Sequence, residues 1–181
     1  CLLPGEVEGA SATAGEHIAR LGHTRVGFIQ GNPAYPSAHE RRAGFLEGLR
    51  RHGLSVPAEL DMPGDYSFDA GYRAGKTLLS RPDRPTAVIC CNDEMAAGVY
   101  HAAHALGLNI PQDLTVIRFD DAPIAAKVVP PMTTVGLPTR NMGKTAAETL
   151  IQPDFDGKAS VVFQASLLMR GSAGPAPDHK G

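Results

Sequence analysis

The sequence has 181 residues, 43% of them hydrophobic, with 20 glycines and 15 prolines, which suits one globular unit or two small lobes around an apolar core. A formal charge of −2 leaves no electrostatic footprint for gripping a phosphate backbone, so this chain by itself is not expected to bind nucleic acid. No apolar run is long enough to span a membrane and no signal-peptide pattern is present, while Cys1, Cys90 and Cys91 make no disulfide framework, which points to the cytoplasm.

Along the chain the apolar period switches repeatedly between 3.6 and 2. A first helix is expected over about Ala10–Leu21, closed by Gly22, and "RVGFIQG" reads as a buried strand. Ser37 with Glu40 has the spacing of a capping box and opens a helix that buries Phe45, Leu46 and Leu49 before Gly53 stops it. A short strand at Leu60–Met62 leads through "PGDYS" to a helix over Phe68–Leu79. "TAVICC" is the third strand, its helix runs to Leu106, and "LTVIRF" is the fourth strand, ending at Asp120 and Asp121. "PPMTTVGLP" is extended, Arg140–Ile151 is an amphipathic helix with Met142, Ala146 and Leu150 in line, and "SVVFQASLL" is a late strand. The polar, Pro-rich end "GSAGPAPDHKG" is expected to fray. Strands alternating with helices across short connections imply a Rossmann-like parallel sheet flanked by helices, an α/β fold.

In such sheets ligands bind beyond the carboxyl ends of the strands. Those ends carry Asn32 with Tyr35, Asp65 with Tyr66, Asn92 with Asp93, and Asp120 with Asp121. Carboxylates and amides suit vicinal hydroxyls, aromatic rings suit a sugar face or a nucleobase, and Arg41 adds a forked donor. The same Asn and Asp residues are also ordinary helix caps, so each position singly admits both readings, while four such loops at one end favour a site. Asn92 is expected to face the cleft and Asp93 to serve the N-terminus of its helix. His101 and His104 have the i, i+3 spacing of metal ligands, but Met95, Val99, Ala102 and Leu106 set the buried face opposite them, so no metal is expected. No nucleophile motif, phosphate loop or dinucleotide fingerprint occurs, so neither catalysis nor a cofactor is expected. Cys90 and Cys91 should pack on opposite faces of their strand as small hydrophobes.

"LGHTRVGFI", "ERRAGFLEGLRRHGL", "GDYSFDAGYRAGKTLL", "RPTAVICCNDEMAAGVYHAAHALGLNIPQDLTVIRFDD" and "PPMTTV", in that order, resemble the LacI/GalR family of bacterial transcriptional regulators over nearly all of Gly9–Ser172. The resemblance implies an effector domain of the type I periplasmic-binding-protein-like fold, with two Rossmann-like lobes and a sugar or nucleobase between them. On that template residues 1–22 and 131–158 are remnants of the first lobe, and 23–122 with 159–170 make the complete second, effector-binding lobe. Residues 123–130 cross between the lobes, a further crossing falls near Ala159, and 171–181 form a disordered tail. The family's effector-contacting arginine falls on Arg41, its cleft asparagine on Asn92, its cleft aspartate on Asp120 and its loop aromatic on Tyr66. Asn32 and Tyr35 fall in a loop that varies with ligand. Two departures stand out: Arg118 occupies a position commonly glycine, and Gly136 with Leu137 replace a frequent polar pair.

The resemblance therefore implies an effector-sensing domain, truncated relative to the family, for a small molecule such as a sugar, polyol or nucleobase. Ligand binding between the lobes would modulate DNA binding by a helix-turn-helix missing from this sequence, in a homodimer, and operator DNA would be touched only there. The alternative is a periplasmic sugar-binding protein of an ABC transporter, which shares the fold.

Overall fold

The apolar runs at Val26–Ile29, Ala87–Cys90 and Thr115–Phe119 are rich in β-branched and aromatic residues, and each becomes a buried strand. The computed structural model describes residues 6–152, 157 and 161–177. Within them run β1 (Val26–Ile29), β2 (Asp61–Met62), β3 (Ala87–Cys90), β4 (Thr115–Asp120), β5 (Thr133–Gly136) and β6 (Ser166–Leu168). They form one sheet in the order β2-β1-β3-β4-β5-β6, in which the first five are parallel and β6 is antiparallel to β5. β1, β3 and β5 are buried at every residue and β4 at all but its last, as expected for strands covered on both faces.

The cover comes from α1 (Glu6–Arg20), α2 (Pro36–Arg50), α3 (Phe68–Leu79) and α4 (Asp93–Ala105), while α5 (Thr139–Leu150) follows β5. Right-handed crossovers carry β1 through α2 to β2 on one side, then back through α3 and α4 to β3 and β4 on the other. Hence α2 lies on one face, with α1 against it, and α3 packs with α4 on the opposite face. The first helix pair is close because Gly44 and Gly48 face the backbone of Glu8 and Ala12, where a Cβ would overlap carbonyl oxygens. Phe45 of α2 then reaches Phe28 of β1, with ring centroids 6.0 Å apart and planes 59° apart. Each such fully buried side chain stabilises the fold by roughly 1.5–3 kcal/mol.

Helix α1 packs in the same core as β1 and α2, through Ala14 and Ile18. The "MTTV" strand likewise belongs to this sheet, with Phe119 in register with Val135. Among the described α-helices, α5 alone has no buried residue. The late strand shrinks to Ser166–Leu168, and its first described residues, Val161 and Val162, are exposed.

The segment after Arg170 is ordered as far as it is described. Ser172 is buried, its Oγ donating to the Val116 carbonyl at 2.6 Å and accepting from the Thr133 amide at 2.7 Å. Further along, the Ala176 amide donates to the Leu21 carbonyl at 2.8 Å. The Ser172 bonds satisfy backbone groups at the starts of β4 and β5, and the Ala176 bond satisfies a carbonyl just past α1. The crossing near Ala159, Cys1 and residues 178–181 lie outside the described residues. The capping box does not form, because Pro36 takes the first position of α2 and Tyr35 is its N-cap, with no side-chain cap bond.

Candidate functional site

β1 pairs with β2 on one side and β3 on the other, so the chain reverses direction across the sheet there and the loops after β1 and β3 part. At that point Asn32, Tyr35, Arg41, Tyr66, Asn92 and Asp120, contributed by three loops, α2 and the end of β4, line one cavity of about 400 Å³. Ser37 and Asp65 complete its lining. Sequence reading assigns Ser37 only to a helix cap, and its place between Tyr35 and Arg41 is the signal that could have found it.

The lining divides by chemistry. Asn32 and Asp65 turn their own loops, accepting from the amides of Ala34 and Ser67, each at 2.9 Å. Asn92 caps α4, accepting from the Met95 amide at 3.0 Å while its Nδ2 donates to the Tyr66 carbonyl at 2.9 Å. The choice between cap and site is thus not exclusive: these residues build the loops and also face the cavity. Tyr35 and Tyr66 form an aromatic pair, with centroids 6.0 Å apart and planes 56° apart, and Tyr35 is 55% exposed. Such a surface suits the C–H face of a sugar or a base.

Arg41 and Asp120 form the charged centre. Arg41 Nη2 donates to Asp120 Oδ1 at 2.6 Å and Nη1 donates to Oδ2 at 3.1 Å, a forked pair. Nη1 also donates to the Cys91 carbonyl at 2.6 Å, and the guanidinium lies 4.1 Å from the Phe119 ring centroid. The arginine is therefore held on several sides, while the Asp120 side chain remains 37% exposed towards the cavity. Its free lone pairs can accept hydroxyl hydrogens.

Asp93 stands in the first turn of α4 as expected, and its carboxylate bonds beyond that helix. It is buried and pairs with Arg118, which is wholly buried in β4. Arg118 Nη2 also lies 3.6 Å from Asp121 Oδ1. Burial lowers Arg118 to about 10, so it remains a cation at neutral pH. The two thiols behave as expected for core residues: both are buried, and loss of hydration pushes Cys91 up to about 12 and raises Cys90 as well. His101 and His104 are exposed, and the His101 ring rests on Phe68 and Tyr72 at centroid distances of 6.0 and 5.2 Å. Among the described residues no helix is long and apolar enough to cross a membrane.

Residues 16–172 match the family described as periplasmic binding protein-like domain. The chain is similar to the HTH-type transcriptional repressor CytR of Escherichia coli strain K12, at 35% identity over 171 residues, covering 93% of this chain and 50% of that protein. It is similar to the Ribose operon repressor of the same strain, at 37% identity over 164 residues, covering 88% of this chain and 49% of that protein. Among solved structures it is similar to a transcriptional regulator CelR–cellobiose complex, with a TM-score of 0.81 and 29% identity over 92% of this chain and 52% of that one. The chain spans about half the length of the curated relatives it matches.

Proposed function

The chain belongs to the periplasmic binding protein-like domain family, and from that premise we propose that it is the effector-sensing part of a LacI-type transcriptional regulator. The observation that carries this reading is the cavity at the sheet's reversal point, where an exposed carboxylate is locked to an arginine beside two tyrosine rings. The effector is a sugar or a similar polyol, or a nucleobase: its hydroxyls or ring edges bond Asp120 and Asn92 while its apolar face lies on Tyr66 and Tyr35. Relatives named for ribose and for a cellobiose complex support the sugar class.

The lobe described here runs from α1 to β5 and takes back β6. The unburied α5, with Leu150 65% exposed and Ile151 80% exposed beside it, belongs with the opposing lobe. Ligand bridging the two lobes favours their closed arrangement and shifts a cytoplasmic homodimer between DNA-binding and non-binding states through its differential affinity for them. Operator contact is made by a helix-turn-helix outside this sequence, and the chain performs no catalysis. The repressor names of its relatives favour this over a transport protein of the same fold.

The test is a thermal-shift screen of the whole protein against D-ribose, cellobiose, polyols and nucleobases. A binding effector at a hundredfold excess over its Kd stabilises by about 2.7 kcal/mol. Asp120→Ala and Arg41→Ala should each abolish that shift while remaining folded. Unchanged affinity in both would remove the site, and a cleavable export signal upstream of residue 1 would assign the chain to transport instead.

A further inference from the structure

Arg118 is the largest wholly buried side chain described, and it is charged. Its Nη1 meets Asp93 Oδ1 and its Nη2 lies 3.6 Å from Asp121 Oδ1, so these two carboxylates balance its charge. Burying such a pair costs several kcal/mol per ion, and apolar side chains of similar volume commonly pack as well or better. Packing therefore does not account for an arginine here, and the partners of its contacts do.

Those contacts converge on the turn that ends β4. Asp120 and Asp121 are two successive residues with left-handed backbone, at φ 101° and 63°. Each such residue costs on the order of 1–3 kcal/mol and persists only where its surroundings hold it. Asp93, in ion contact with Arg118 through Oδ1, accepts from the Ala122 amide through Oδ2 and so fixes the far side of the turn. Asp121 Oδ1 faces Arg118 and accepts from Arg170 Nη1 at 2.6 Å, while the same Nη1 donates to the Met132 carbonyl at 3.1 Å. With Asp121 and Ala122 tied down in this way, the Asp120 carboxylate is left to meet Arg41 at 2.6 and 3.1 Å.

We propose that Arg118 is the positioning residue of the cavity: through Asp93 and Asp121 it holds the Asp120–Ala122 turn in the one conformation that aims Asp120 at Arg41 and at the ligand. The part of this that concerns ligand rests on the effector reading above, and the part that concerns the turn does not. A lysine at this position keeps one positive charge but lacks the planar fork that faces two carboxylates. The pair Arg118→Met with Asp93→Asn removes both buried charges together and leaves an acceptor for the Ala122 amide.

The experiment uses the whole protein and three variants: Arg118→Lys, the double variant, and Asp121→Asn, which keeps a residue that tolerates left-handed backbone while deleting its charge. Three quantities are read: the unfolding midpoint, hydrogen exchange at the Asp121 and Ala122 amides, and Kd for D-ribose or cellobiose, whichever binds the parent. In every variant that folds with a midpoint within about 3 °C of the parent, those two amides should exchange at least about tenfold faster and Kd should rise about tenfold, the equivalent of 1.4 kcal/mol. If the Arg118 variants do not fold, Asp121→Asn is compared with a fourth variant, Arg170→Met, which removes the other cation on Asp121; equal effects in the two overturn the role of Arg118, and a larger effect of Asp121→Asn supports it. Parental exchange and parental Kd in a folded variant of the first three overturn the proposal, because a merely structural charge moves the midpoint and nothing else. If neither sugar binds the parent, the effector reading fails for those sugars, and the exchange rates still decide whether Arg118 holds the turn.

Discussion

Tyr66 holds its backbone at φ 73° and lays its phenol against Gly31, where any Cβ would overlap the ring. Gly31→Ala must therefore push aside the free end of a side chain and no backbone. The fold should survive, with a midpoint close to the parent, while the Tyr66 ring leaves Tyr35 and ligand response weakens. The protein has four tyrosines and no tryptophan, so intrinsic tyrosine emission reads this change directly. A parental emission spectrum together with a parental response would show that the ring contact has no role. Arg41→Lys is the complementary case. It keeps the charge beside Asp120 but loses the fork and the planar contact with Phe119, so Kd should rise by about tenfold or more in calorimetric titration.

At the scale of elements, α1 and α2 touch through backbone, and their stability depends on side chains that are absent. A Cβ on Gly48 would overlap the Ala12 carbonyl, and neither helix can yield without opening the interface. Gly48→Ala is expected to destabilise by about 1–3 kcal/mol in urea unfolding, although alanine is the better helix former. Phe45→Ala, which empties the contact with Phe28, should cost about 3–5 kcal/mol by the same measurement. If Gly48→Ala proved stabilising, helix propensity would outweigh the close approach and the packing argument would fail.

Across the whole molecule, the end of the sheet far from the cavity is closed by His23. Its Nε2 lies 3.0 Å from the Gly174 carbonyl, which can only accept, so Nε2 carries the proton and Nδ1 accepts from the Thr86 hydroxyl at 2.9 Å. The Gly174 amide donates to Thr115 Oγ1 at 3.0 Å, which binds the C-terminal segment to β4. Burial holds the His23 pKa below 6.5. Between its folded pKa and 6.5 the unfolded chain binds the proton and the folded chain does not, so stability is full above that window and falls as pH drops through it. Urea unfolding between about pH 8 and pH 5 should show this slope, and His23→Gln should reduce it. Burial lowers His17 also, so some slope remains in the variant.

The sequence by itself determined the strands, the helices and the end of the sheet where the polar loops gather. Hydrophobic period is a local property, and parallel strands necessarily put their carboxyl ends together, so Asn32, Tyr35, Arg41, Tyr66, Asn92 and Asp120 could be named in advance and are found around one cavity. The family resemblance added the roles expected of them. Only the tertiary structure decided the partnerships that depend on distance in space. Asp93 looks like a helix-terminal charge until β4 brings Arg118 beside it. A Pro-rich tail looks frayed until the starts of β4 and β5 offer it hydrogen bonds. The first helix looks detachable until Gly44 and Gly48 let it lie on α2. In each case the local preference is worth about 1 kcal/mol or less, while a buried charge or an unpaired backbone group costs more than that, so the neighbours supplied by the fold prevailed.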